Sequence, residues 1–168
     1  MFDLSLEDIF TNSAFEYALK RLKCTALGLD GLGTEDICSD VFYAELKSEI
    51  FSLSYSPQPL KRAFIPKETK DELRKLAVPS LKDKFAQNIL TRELSGYFDK
   101  SFSNRSYAYR NGKSYANAIF RARDFFKIFS FAVKTDIKDF FENIDHEKLL
   151  EILRANIRDA RIIRLIEL

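Results

Sequence analysis

The chain has no tryptophan, one methionine, one histidine, two cysteines and five glycines among 168 residues. Each shortage excludes a class of chemistry. The lone histidine, His146, stands beside Asp145 at a helix start and supports no Ser–His–Asp arrangement. Cys24 and Cys38 lack metal-site spacing and the even framework of a disulfide-stapled domain. Free thiols in a reducing cytosol, and so a cytoplasmic protein, are the expectation. The glycines of Gly28–Gly33 follow a helix pattern at the wrong spacing for a dinucleotide fingerprint. No apolar run is long enough to cross a membrane. The opening, MFDLSLEDIF, lacks a basic stretch followed by an apolar one, so no signal peptide is expected. Repeats, low-complexity tracts and long linkers are absent too.

What is present is aromatic and charged. Sixteen Phe and seven Tyr can build a sizeable core. The net charge of +2 conceals an uneven distribution. Residues 1–59 carry four Lys/Arg and ten Asp/Glu, a net of −6. Residues 60–84 carry eight and four, a net of +4, and residues 105–127 six and one, a net of +5. Two basic blocks behind an acidic head fit a polyanion bound on one face, or simply a solvated lysine-rich surface.

The periodicity predicts α+β structure without regular alternation. Ser5 and Asp8 spell a helix cap, and a helix runs from Ala14 to Lys23. Thr34 starts a helical stripe of Phe42, Leu46, Ile50 and Leu53. Pro57 and Pro59 then impose extended backbone. Lys61–Ile65 and Leu73–Val78 read as the strands of a β-hairpin joined by the polar residues 67–72. Ser80 with Asp83 opens the next helix, Ser114 another, and Asp145 and Asp159 the last two. Phe129–Ile137 reads as a strand, after which Phe140 and Phe141 should pack inward.

Three segments carry chemistry. Asp136 follows the apolar strand pattern, where a carboxylate is costly unless compensated, for instance by a metal ion. It serves equally as a cap for the next turn. Lys67, Lys70, Arg74 and Lys75 lie on the hairpin, suited to folding over a triphosphate or to guarding a sheet edge. In Asn104–Ser114, basic residues alternate with Tyr107 and Tyr109, a pattern that fits a nucleic-acid strand or a loop packed on the core.

Together these segments resemble the reverse transcriptases of group II introns and their bacterial relatives, from about Lys20 to the end. Leu27–Gly31 is similar to the G-x-D-G loop of the family. Tyr55–Lys67 resembles its Y-x-P-x-P…IPK run, and Leu73–Gln87 its R-x-L-x-I-P-x-x-x-D-R…Q block. Ser106–Ser114 is similar to S-Y-G-F-R-P-G-R-S, and Asp136–His146 to D-I-K-G-F-F-D-N-I-D-H. The resemblance implies a right-hand polymerase with an N-terminal helical extension (1–59), fingers (60–128) and the first part of the palm (129–168), including a partial antiparallel sheet. It implies an RNA-directed DNA polymerase with two Mg²⁺ ions. Asp136 would bind metal, assisted by the carbonyl of Ile137, and Phe141 would be the gate selecting dNTP. Lys67 and Arg74 would clamp the triphosphate, with Lys70 competing for the role because the hairpin is longer and lacks glycine. Tyr107, Arg110 and Lys113 would lie along nucleic acid. Implied partners are an RNA template, a DNA or RNA primer, dNTP and intron or CRISPR RNA, with no membrane.

The departures are Ala108, Tyr109 and Asn111 in the G-F-R-P positions, which point to a diverged relative, CRISPR-associated or defence-associated. The chain also reaches Leu168 without a Y-x-D-D motif. The expectation is therefore a fragment inactive alone, with apolar palm surface exposed and a dimer through that edge. The alternative is a non-catalytic, maturase-like RNA-binding module.

Overall fold

A computed structural model describes residues 3–22, 30–66 and 73–168, and of Thr34 the backbone only. Cys24, Lys67, Lys70 and the Leu27–Leu29 part of the glycine loop lie outside the described residues. Eight helices and two strands are described: α1 (Leu6–Ile9), α2 (Asn12–Arg21), α3 (Thr34–Ile37), α4 (Asp40–Phe51), β1 (Lys61–Pro66), β2 (Leu73–Val78), α5 (Leu81–Phe98), α6 (Tyr115–Phe126), α7 (His146–Asn156) and α8 (Ala160–Glu167). The molecule is helix-rich with a small antiparallel sheet, an α+β composition. It divides into two compact units, Met1–Glu93 with Leu150–Leu168, and Leu94–Leu149.

Side-chain oxygens start most of the helices. Ser5 Oγ accepts from Asp8 N at 3.2 Å while the Asp8 carboxylate accepts from Ser5 N at 3.0 Å, a reciprocal cap. Thr11, Ser39, Ser114 and Asp159 accept from the first turns of α2, α4, α6 and α8. Asp145 accepts from Lys148 N at 3.1 Å at the start of α7, whose first residue is His146. The helical stripe from Thr34 is divided. Gly33 occupies the cap position, its N–H held by Asp36 at 2.7 Å, and Ser39 restarts the helix two residues after Ile37. Leu53 is not part of the stripe. It takes φ +61°, and Leu53 N and Ser54 N donate to Ile50 O and Glu49 O at 3.2 and 2.9 Å, closing the end of α4.

Every buried residue belongs to the first unit. Ile9, Phe10, Phe15, Leu46, Phe85, Ile89 and Ile162 are among them, so α1, α2, α4, α5 and α8 share one apolar interior. Phe15 stacks near Tyr43 (4.5 Å) and Phe85 (5.4 Å), which joins α2, α4 and α5 through aromatic edges. Asp159 ties the last helix to the first: its Oδ2 accepts from Leu6 N at 2.9 Å. Arg161 grips the Asp159 carboxylate and reaches both oxygens of Glu7 at 2.8 and 2.7 Å.

The second unit has no buried residue from 94 to 149. Phe129–Ile137 forms no strand here. Strands β1 and β2 pair only with each other, and without a partner ladder the segment stays irregular, with Phe131 at 90% exposure. The expected partial sheet from the palm segment is not formed, and among the described residues the sheet is the hairpin of residues 61–78. Phe140 and Phe141 do not pack inward either. They stack on each other at 5.5 Å, and Phe141 is 81% exposed.

Candidate nucleic-acid interface

The hairpin register pairs Lys61 with Val78, Ala63 with Leu76 and Ile65 with Arg74. Directly opposed residues share a face, so Lys61 and Arg74 lie on one side and Arg62 and Lys75 on the other. All four are exposed, as are Phe64 and Leu73 on the face of Arg62 and Lys75. The ribbon thus presents cations interleaved with exposed apolar side chains on both faces, Ile65 and Leu76 on one and Phe64 and Leu73 on the other.

One buried carboxylate anchors the root of this ribbon. Asp83, in the first turn of α5, is 2% exposed. Its Oδ1 accepts from the Tyr55 hydroxyl at 2.5 Å, and its Oδ2 accepts from Ser80 Oγ at 2.6 Å and Gln58 N at 3.0 Å. Tyr55 and Gln58 precede β1 and Ser80 follows β2, so a single group holds both ends of the hairpin. Burial pushes the Tyr55 hydroxyl far above its ordinary acidity range, and its bond to Asp83 adds to the effect. The Ser80–Asp83 cap is readable from spacing alone. The bonds to Tyr55 and Gln58, from residues 28 and 25 positions earlier, are not.

In the second unit the basic loop closes on itself. The Arg110 side chain is 7% exposed. Its Nε donates to Asp99 Oδ1 at 2.6 Å, Nη2 to Asp99 O at 2.8 Å, and Nη1 to Ser103 O and Ser106 O at 2.7 and 3.3 Å. The Arg110 guanidinium holds the Asp99 carboxyl below its ordinary value. Lys113 Nζ donates to Asn104 O at 2.8 Å and Ser106 O at 3.2 Å, and sits 5.3 Å from the centre of the half-buried Tyr107 ring. The three residues named for nucleic acid from the sequence, Tyr107, Arg110 and Lys113, therefore build the loop from within. Tyr109, between them, points away from it, with a relative exposure of 107% and φ +56°.

Asp136, Ile137 and Phe141 are all exposed. Asp139 takes φ +49°, and its carbonyl accepts from Asn143 N and Asn143 Nδ2 at 3.1 and 2.8 Å, which turns the chain into a short 3-10 segment, Phe141–Asn143. Asp139 O, rather than the Asp136 carboxylate, organises that turn.

No family model matches the chain. Individual proteins do. The chain is 31% identical over 143 residues to the group II intron-encoded protein LtrA of Lactococcus lactis, which covers 83% of this chain. It is 33% identical over 138 residues to an uncharacterized 91 kDa protein in the cob intron of Schizosaccharomyces pombe, 82% of this chain. This chain belongs with the group II intron-encoded reverse transcriptases and maturases. It spans 24% of the length of the Lactococcus protein and 16% of the Schizosaccharomyces one. A weaker likeness, 24% over 89 residues, connects this intron-type chain to nuclear intron maturase 1, mitochondrial, of Arabidopsis thaliana, covering 53% of this chain and 12% of that protein.

A polymerase of this type would carry Mg²⁺, and Asp136 with the carbonyl of Ile137 would be its contribution from this segment. Among the described residues, no three His, Cys, Asp or Glu side chains come together as a metal site. Asp136 offers one exposed carboxylate, so the residues here do not by themselves fit a two-ion centre. Among the described residues no helix is long and apolar enough to cross a membrane.

Proposed function

We propose that this chain is the nucleic-acid-binding front of an RNA-directed DNA polymerase. Residues 60–128 act as fingers, residues 129–168 begin the palm, and residues 1–59 are a helical extension. The similarity to intron-encoded proteins over four-fifths of the chain carries this reading. The exposed cations of the hairpin support it, because phosphate contacts by Lys and Arg supply most sequence-independent affinity. Arg74 with Lys67, or with Lys70 in its place, is the triphosphate clamp in this reading. Asp136 and Ile137 are the metal-side residues and Phe141 is the gate for the incoming dNTP. Template RNA, a DNA or RNA primer and dNTP are the partners. The exposed Phe131 and Val133 give two copies a place to meet.

A second reading, an RNA-binding module of maturase type without catalysis of its own, is favoured by one observation: the likeness to nuclear intron maturase 1 of Arabidopsis thaliana. Two measurements test these readings. Labelled RNA/DNA primer–template should bind this chain with steep salt dependence, and Arg74→Ala should flatten the slope by about 1. Primer extension with the chain alone should yield no product, whereas robust synthesis would overturn the view that Asp136 needs further carboxylates. Absence of binding at low salt would sink both readings.

A further inference from the structure

We infer that Tyr109 is a stacking platform for an unpaired nucleobase, and so the residue through which the basic loop grips a single strand. The inference deepens the nucleic-acid reading above and rests on it. At one position of this loop, residue and backbone do not match. The loop has two left-handed positions, Gly112 at φ +71° and Tyr109 at φ +56°. At Gly112 the sequence places the residue that takes this conformation freely. At Tyr109 it places a bulky side chain that is strained there, and an observed outlier of this kind points toward function.

The ring gains nothing from folding in exchange. Its relative exposure is 107%, so none of its apolar area is removed from water. The backbone that carries it is nevertheless held. The next residue, Arg110, is pinned by its bonds to Asp99, Ser103 and Ser106, and Lys113 closes the loop from the other side through Asn104 and Ser106. The loop's two inward cations thus hold an aromatic ring out in solvent. A flat ring carried on a held backbone meets the requirement for stacking, because every base has a π face. The surroundings favour a polyanion: residues 105–127 carry six Lys/Arg against one acidic residue.

Stacking and phosphate contacts leave different signatures, which makes the inference testable on the intact chain. Binding of a labelled single-stranded RNA oligonucleotide would be measured across a salt series for wild type, Tyr109→Ala, Tyr109→Gly, Tyr109→Phe and Arg74→Ala. Inorganic polyphosphate, which has charge but no bases, serves as the second probe. Tyr109→Ala and Tyr109→Gly should lose roughly 5- to 100-fold in RNA affinity with an unchanged salt slope, and Tyr109→Phe should stay within about twofold of wild type. Polyphosphate affinity should be the same in all the Tyr109 variants. Tyr109→Gly should melt no lower than wild type, because glycine relieves the strained φ, which separates lost binding from lost folding.

Full RNA affinity in Tyr109→Ala would overturn the inference, as would an equal loss of polyphosphate binding. If Arg74→Ala weakens RNA binding and Tyr109→Ala does not, the stacking role fails while the nucleic-acid reading stands. If wild type binds neither probe, the two fall together.

Discussion

The Tyr55 hydroxyl donates to Asp83 Oδ1 across 2.5 Å in the interior of the first unit, joining the run-in to β1 with the first turn of α5. Asp83 is satisfied by three donors, and each holds a different stretch of backbone to it. Tyr55→Phe removes one donor and should cost about 1–3 kcal/mol in urea unfolding. Asp83→Ala strands all three and should cost more, with faster amide exchange in β1 and β2. Equal stability of Tyr55→Phe and wild type would show that the bond does not stabilise the fold.

Asp159 gives the fold an acid limit. Its bonds from Arg161, with those from Leu6 N and Arg161 N, hold its carboxyl at about 2, below the ordinary 3.8. A depressed carboxyl contributes stability that is fully present above the unfolded value and is lost as pH falls from about 3.8 through about 2. Glu7, bonded to Arg161, is lowered in the same direction. Wild type should therefore lose more stability than Asp159→Asn between pH 5 and pH 2, as read from urea midpoints at each pH. Near neutral pH, Asp159→Ala should cost about 1–2 kcal/mol, since it removes the cap of α8.

Arg110 should be irreplaceable within its loop. Arg110→Ala frees Asp99 and the carbonyls of Ser103 and Ser106, and proteolysis within residues 101–113 should accelerate severalfold. Arg110→Lys should not restore protection, because one ammonium cannot reproduce a planar fork that reaches Asp99, Ser103 and Ser106 together. Rescue by lysine would mean that charge alone holds the loop.

Asp136 should be dispensable for folding. It is exposed, and the turn after it is organised by Asp139 O. Asp136→Asn should change unfolding free energy by less than about 0.5 kcal/mol, the usual range for an exposed site. A larger loss would assign it the capping role that its sequence position also allows.

Much of this protein is local and therefore legible in the chain. Capping pairs such as Ser5 with Asp8 and Ser80 with Asp83 act across three residues, so their spacing predicts the contact. The hairpin strands follow from alternation and flanking prolines, and the register observed is compatible with that reading. The resemblance to intron-encoded proteins likewise rests on short ordered motifs and holds over most of the chain. A strand is different, because its hydrogen bonds belong to a neighbour. Phe129–Ile137 has the residues of a strand and no ladder to join, so composition predicted an element that pairing did not supply. The same limit applies to side-chain direction in loops. The pattern of Tyr107, Arg110 and Lys113 fits a nucleic-acid strand or a loop packed on itself, and in the folded chain the two cations bond to their own loop's carbonyls and to Asp99. Only the folded loop decides that Arg110 turns inward and Tyr109 outward, just as only packing brings Glu7 to Arg161, 154 residues later.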